Sequence, residues 1–336
     1  LVFSGEASAD LIYTILEPFD RTDRDFLYAG VTSLRLDATG GDRESSKVEA
    51  SVLISMVDGD IAMTAFELKK LYLSVYTHLA DLSAGRMVIN YGRGTVFSPV
   101  DLFSYVDTSD LGLGRTGSDA VRVLFPSGDF SGIDLVATMG EVGWDGTAGG
   151  RFYGNAAGLD FGVSCFGDGL YDGNGDLVAA LDLKGDLELG ISAEAVARIP
   201  FASWSPDVSE AVYSIMLGAD YSLGGEWFFD AEYLLNLRAG SVYAAGLFRS
   251  EHNMFASVSW KPDELTALDL RCIGVPAEGA LQAALSLSRN IAAGANLAAY
   301  LVYRRGDVEG YFLGSVPPAG IVLTKISIGC QLSVAY

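Results

Sequence analysis

The 336-residue chain has no apolar run suited to a helical membrane span: the longest charge-free apolar stretch towards its C-terminal end, 290–303, contains Gly294 and falls short of the roughly 18 residues such a helix needs. If the chain enters a membrane, it does so as a closed barrel, in which the strands pair every backbone group. Basic residues are scarce as well. The 22 Lys and Arg stand against 43 Asp and Glu, a formal charge of −21, and a surface of that sign excludes nucleic acid as a partner, because phosphate binding needs cations. Cysteine is limited to Cys165, Cys272 and Cys330, an odd and widely spaced set that supports neither a disulfide framework nor a thiolate metal centre. Only two histidines occur, His78 and His252, and neither lies in a nucleophile motif, so both read as solvated side chains and no enzymatic activity or cofactor is expected. Charged residues make up 19% of the chain, below the roughly 25% of ordinary soluble proteins.

What the chain does have is glycine, 40 residues of it, and alternation. The last stretch, 326–336, sets apolar Ile326, Ile328, Cys330, Leu332, Val334 and Tyr336 against Ser327, Gly329, Gln331, Ser333 and Ala335. A pleated strand gives that period of two when one face meets an apolar medium and the other meets water. The same pattern recurs at Leu297, Ala299, Leu301 and Tyr303, and at Phe229, Ala231, Tyr233 and Leu235 against Asp230 and Glu232. Near the N-terminus, Leu34 and Leu36 alternate with Arg35 and Asp37, and Leu71 and Leu73 with Lys70 and Tyr72. Short turns at 126–129, 184–186, 224–225, 261–263 and 291–294 interleave with longer links at 140–150, 167–176, 199–210, 236–252, 274–279 and 305–320. Segments of about ten alternating residues, short turns on one side and long loops on the other, form the signature of an outer-membrane barrel. The fold expected is a single-domain, all-β, transmembrane antiparallel up-and-down barrel of about eighteen strands. Sixteen is the alternative, because the first strand and 151–158 are weakly marked. Helical readings of 61–71, 206–217 and 290–303 lose to the clean strands beside them.

An alternating last strand closed by an aromatic residue resembles the C-terminal insertion signal of bacterial outer-membrane β-barrels, which assigns that role to Tyr336. A longer match lies at 85–125, where Gly85-Arg86 runs into Tyr91-Gly92-Arg93-Gly94, then Pro99-Val100-Asp101-Leu102-Phe103, then Gly117-Ser118-Asp119-Ala120-Val121-Arg122. This resembles the porin-like barrels. Met87, Tyr91 and Ser98 stand where that family more often has Gln, Trp and Asn. By strand count the region joins strands five and six, where general porins carry a loop folded into the lumen. The segment 94–117 is rich in aromatics and must pack on something, so it is expected to fold inward. Arg86, Arg93, Arg115 and Arg122 would then meet Asp101, Asp107, Asp110 or Asp119 across a pore constriction, where opposed charges select solutes by charge.

The register also directs Asp182, Glu188, Glu194, Asp220, Asp230, Glu232 and Asp269 into the lumen, against fewer bases such as Arg35, Arg271, Arg289 and Arg304. An acidic lumen favours cations. Tyr13, Tyr28, Trp227, Phe255, Trp260, Tyr303 and Tyr336 are expected in interfacial girdles. The run Asp172-Gly173-Asn174-Gly175-Asp176 has the start of a calcium loop, but Leu183 stands where the bidentate Glu belongs, so it reads as a polar turn and no metal is expected. Because Leu1 is not a start methionine, a processed, secreted form is expected.

Together these features point to a bacterial outer-membrane channel with both termini periplasmic, passively passing small hydrophilic solutes or ions. Its partners would be outer-membrane lipid, the barrel-assembly machinery and possible further subunits. A non-conducting barrel that serves a transport, secretion or assembly complex is the second reading, and a soluble sandwich or propeller the third.

Overall fold

Alternation commits a segment to a strand with two unlike faces, and a sheet of such strands hides its edges only by closing on itself. The computed structural model describes residues 1–18, 25–59, 62–104, 106–108, 113–139, 146–171, 174–237, 248, 250–306, 308 and 324–336. In it eighteen wall strands form one closed antiparallel barrel. They are β1 (Val2–Leu16), β2 (Asp25–Gly41), β3 (Ser46–Gly59), β4 (Met63–Tyr76), β5 (Asp81–Met87), β6 (Ser118–Gly128), β7 (Ser131–Thr138), β8 (Thr147–Ala156) and β9 (Leu159–Tyr171). The second half comprises β10 (Asn174–Leu187), β11 (Leu189–Ala202), β13 (Val212–Leu223), β14 (Trp227–Leu237), β15 (His252–Asp263), β16 (Thr266–Val275), β17 (Ala280–Ala292), β18 (Ala295–Arg305) and β19 (Thr324–Ala335). The remaining strand, β12 (Ser205–Pro206), only prolongs the β11–β13 hairpin. Eighteen holds and sixteen does not, because β1 and β8 are both complete wall strands.

Strand β1 pairs with β2 on one side and with β19 on the other, from Glu6↔Ala335 to Leu16↔Lys325, which closes the ring. The terminal strand keeps the face read from its sequence: Ile328, Cys330, Leu332, Val334 and Tyr336 are exposed on the outside. Leu181, Leu183, Leu217, Leu270, Leu285 and Leu301 continue that apolar outer surface around the barrel. Arg289 shares the outward register of Leu285 and Leu287 and so leaves the lumen set. Phe255 goes the other way: it is buried inside, not part of a girdle.

The turns on the side of the chain termini are short: 42–45, 77–80, 129–130, 157–158, 188, 224–226, 264–265 and 293–294. On the opposite side run 88–117, 203–211, 238–251 and 306–323. Two expectations change here. The link at 167–176 is a tight hairpin rather than a loop, since β9 and β10 remain paired up to Tyr171↔Asn174; Asp172 itself lies outside the described residues. Strand β10 runs through 184–186, so Glu188 is the reversal itself, exposed with φ 72°, and does not line the lumen. Of the stretches with a helical reading, 63–71 is strand and 290–303 is the β17–β18 hairpin, whereas 206–217 holds the helical turn among the described residues, Val208–Glu210, ahead of β13.

Candidate functional site

The wall is lowest at β5–β7 because the chain leaves it after Met87 and returns at Ser118. The inward segment is therefore 88–117, longer at its start than the 94–117 expected from sequence. It packs apolar side chains on the inner wall. Ile89, Tyr91, Val100 and Phe103 meet Val136, Phe166, Val178 and Val196, while Val96 and Phe97 meet Met216, Leu234, Phe255 and Ile273. Phe97 also holds Phe248, from the 238–251 loop, edge-to-face at 4.6 Å.

Wall carboxylates pin the backbone of this segment. Glu232 accepts the N–H groups of Thr95, Val96 and Phe97, the last two at 3.1 and 2.8 Å. Glu194 accepts those of Arg93, Gly94 and Val100, and the Ser98 hydroxyl at 3.1 Å. Asp230 accepts the Thr95 hydroxyl at 2.6 Å. Asp182 is bridged by Arg93 and Arg151, each at 2.7 Å, and the Arg151 guanidinium lies 5.0 Å over the Tyr91 ring. Loop backbone has no strand partner, so each buried N–H needs an acceptor, and a carboxylate supplies several at once. Four of the acidic residues expected to line a water channel thus act as anchors, and their charge is taken up by the segment. Asp220 and Asp269 keep inward positions on β13 and β16.

The residues expected at the constriction divide. Arg93 is used on Asp182, and Arg122 forms a bidentate pair with Asp134 on the neighbouring strand. Arg115 bonds Asp101 at 2.6 Å, but both belong to the inward segment, so the pair lies along it instead of across an opening. Asp107 is exposed, with its N–H bonded to the Gly114 carbonyl at 2.9 Å. Asp110 lies outside the described residues. Arg86 and Asp119 pair with each other and share the register of Leu71, Ala84 and Val121, which faces outward; they are not in the pore.

The inward segment occupies the β7–β17 side and leaves the opposite side open. A cavity of about 950 Å³ lies between it and the inner faces of β1–β4, β18 and β19. Arg35 there is engaged by Glu6 and Asp37, Lys69 by Glu67, and Arg115 by Asp101. Lys70 forms no ion pair among the described residues and acts on Glu49 only at longer range. A second cavity of about 680 Å³, lined by Arg43, Tyr72, His78 and Arg122, opens on the side of the short turns and shares Val88 with the first. Arg35, Lys70 and Tyr72 were on the polar faces read from sequence, and Arg115 and Arg122 were expected at the constriction, but nothing in the sequence gathered them around an opening against β1–β4. The signal lay in the contrast between inner faces: β1–β3 carry Ser8, Asp10, Ser33 and Glu49 inward, whereas β9–β16 carry Phe166, Val178, Met216, Leu234 and Phe255.

Burial raises the Asp101 carboxyl to about 6, against the opposing pull of Ser104 and Arg115. Lowering the pH through 6 protonates it and leaves the Arg115 charge uncompensated beside the larger cavity. Reversal potentials in a salt gradient should shift towards anions between pH 7 and 5. Asp101→Asn should hold the low-pH value throughout; a shift that persists in that variant assigns it to another group.

No protein-family model and no curated protein matches the sequence. Likeness appears in three dimensions. The barrel superposes on OccAB4 of Acinetobacter baumannii with a TM-score of 0.58 at 10% identity, covering 100% of this chain and 99% of that one. OccK5 (OpdH) of Pseudomonas aeruginosa gives 0.61 at 9% identity over 99% and 98%, and OpdQ of the same organism 0.61 at 10% over 100% and 99%. At such identities the likeness is one of fold, and it extends over the whole chain.

Proposed function

We propose that this protein is an outer-membrane channel through which small hydrophilic solutes and ions diffuse passively, with its termini and short turns in the periplasm. The observation that carries the reading is the asymmetric lumen: the inward segment is fixed to one side by buried carboxylates, and the other side keeps a polar cavity of about 950 Å³. The apolar outer face suits a barrel in lipid, and an eighteen-strand barrel holds an aqueous lumen unless something fills it. Resemblance to outer-membrane porins over the full chain supports the same reading. The mechanism has no chemical step. Solute passes between the inward segment and the β1–β4 wall, and the charges there set preference.

Single-channel recording in a planar bilayer tests this. Discrete conductance steps are expected from folded, heat-modifiable protein, and their absence favours the non-conducting scaffold. Lys70→Glu should move the reversal potential towards cations, because it replaces a cavity cation that forms no ion pair among the described residues. An unchanged potential in that variant places the permeation path elsewhere.

A further inference from the structure

The outer wall is apolar along its height, apart from one place. Asp58, Arg289 and Arg305 have outward register but stand near strand ends. Arg86 and Asp119 close β5 and β6 as well, but these strands stop low on the wall, and the neighbouring β4 runs on above them from Leu71 to Met63. From the turn at 77–80, Arg86 is about 15 Å up the wall, taking a strand rise of about 3.3 Å and a tilt of about 40°. Its Nε and Nη2 donate to Oδ1 and Oδ2 of Asp119 at 2.9 and 2.6 Å, and the two side chains remain 37% and 57% exposed. Around them lie apolar Leu71 and Val121, with Phe66 71% and Met139 80% exposed. Charges held against hydrocarbon are costly, and those that persist in membrane proteins face protein or water.

We propose that this patch on β4–β6 is the contact surface between two copies of the chain related by a two-fold axis along the membrane normal. The inference rests on the outer face being lipid-facing, as proposed above. The charges select the occupant. Arg86 and Asp119 are register partners on adjacent antiparallel strands, so they stand side by side at nearly one height. A vertical two-fold axis through the point between them brings Arg86 of each copy opposite Asp119 of the other, and the surface is its own complement. Each carboxylate oxygen keeps a lone pair beyond the bidentate bond, so the intramolecular pair survives inside a four-charge cluster. A lipid phosphate would suit Arg86 but would be repelled by the more exposed Asp119.

Charge reversal in single variants provides the test, read by light scattering in detergent and by pull-down of two differently tagged forms. The parent should be dimeric. Arg86→Glu alone sets Glu against Asp119, and Asp119→Arg alone sets Arg against Arg86, so each should be monomeric, with association at least tenfold weaker. Mixed together, the two variants present opposite charges at both contacts and should form a heterodimer. A monomeric parent, a trimeric mass, a parent dimer indifferent to either reversal, or a mixture that stays monomeric overturns the proposal. Heat-modifiability and conductance steps in each variant show whether barrel and channel are intact, so the dimer can fail while the channel reading stands.

Discussion

Replacing Glu194 and Glu232 together by alanine should raise single-channel conductance several-fold and weaken charge selectivity, while the barrel still folds. Each carboxylate accepts three backbone N–H groups from the inward segment, and Glu194 also takes the Ser98 hydroxyl. Hydrogen bonds to charged acceptors contribute about 1.5–3 kcal/mol each, and a buried donor that loses its acceptor costs about 1–3 kcal/mol. Six such donors exceed what local contacts hold in a segment without strand pairing, so 93–100 should leave the wall. The barrel hydrogen bonds do not involve these side chains, and the heat-modifiable form should persist. Glutamine at both positions keeps a carbonyl acceptor and should give a smaller rise. If the double alanine variant conducts like the parent, the apolar contacts of Phe97 and Phe103 hold the segment, and the carboxylates are secondary.

Those carboxylates show how far the sequence could be read. Period-two alternation placed Glu194, Asp230 and Glu232 on the inner face, and the inner face is where they are. It could not tell water from protein as what they meet, because a strand presents the same pattern to both. The apolar interruptions could have told: Val196 two residues from Glu194, and Leu234 two from Glu232, are inner-face residues that a water-filled lumen does not require. Arg86 fails for a different reason. Strict alternation through Leu82 and Ala84 leads outward to Arg86, but grouping it with the other arginines of the same stretch drew it inward. Glu188 was assigned to the strand after it because Lys184-Gly185-Asp186 reads as the turn, whereas the reversal falls at position 188 itself, a non-glycine residue with positive φ. The strand number and closure were legible because most wall strands repeat one pattern, β1 and the glycine-rich β8 being the weakly marked exceptions that left sixteen open; the inward segment's start at 88 was not, since β5 ends without a turn residue.

The closing seam carries the second large effect: Gly329→Val should abolish the heat-modifiable, folded form. Tyr300 on β18 lies across Gly329 on β19 and donates to Asp10 Oδ2 on β1 at 2.7 Å, so one side chain spans the three strands that complete the ring. A Cβ at position 329 would fall within the Tyr300 ring. On the outer face Tyr336 does the equivalent: its ring covers Gly5, and its N–H and C=O exchange hydrogen bonds with Gly5 at 3.1 and 3.0 Å. A barrel has no edge only when its last strand pairs with its first, so crowding at this seam acts on closure as a whole. Gly329→Ala should reduce the folded fraction without abolishing it. Tyr300→Phe keeps the ring and loses one hydrogen bond to a carboxylate, about 1.5–3 kcal/mol, and should fold with lowered thermal stability. Deleting Tyr336 removes both backbone bonds to Gly5 and should lower the yield of assembled protein in the membrane. The deciding variant is the pair Tyr300→Ala with Gly329→Val: vacating the ring makes room for the valine, and folding should return in part. If the pair folds no better than Gly329→Val alone, the constraint at 329 is the backbone of the strand and not the tyrosine that crosses it.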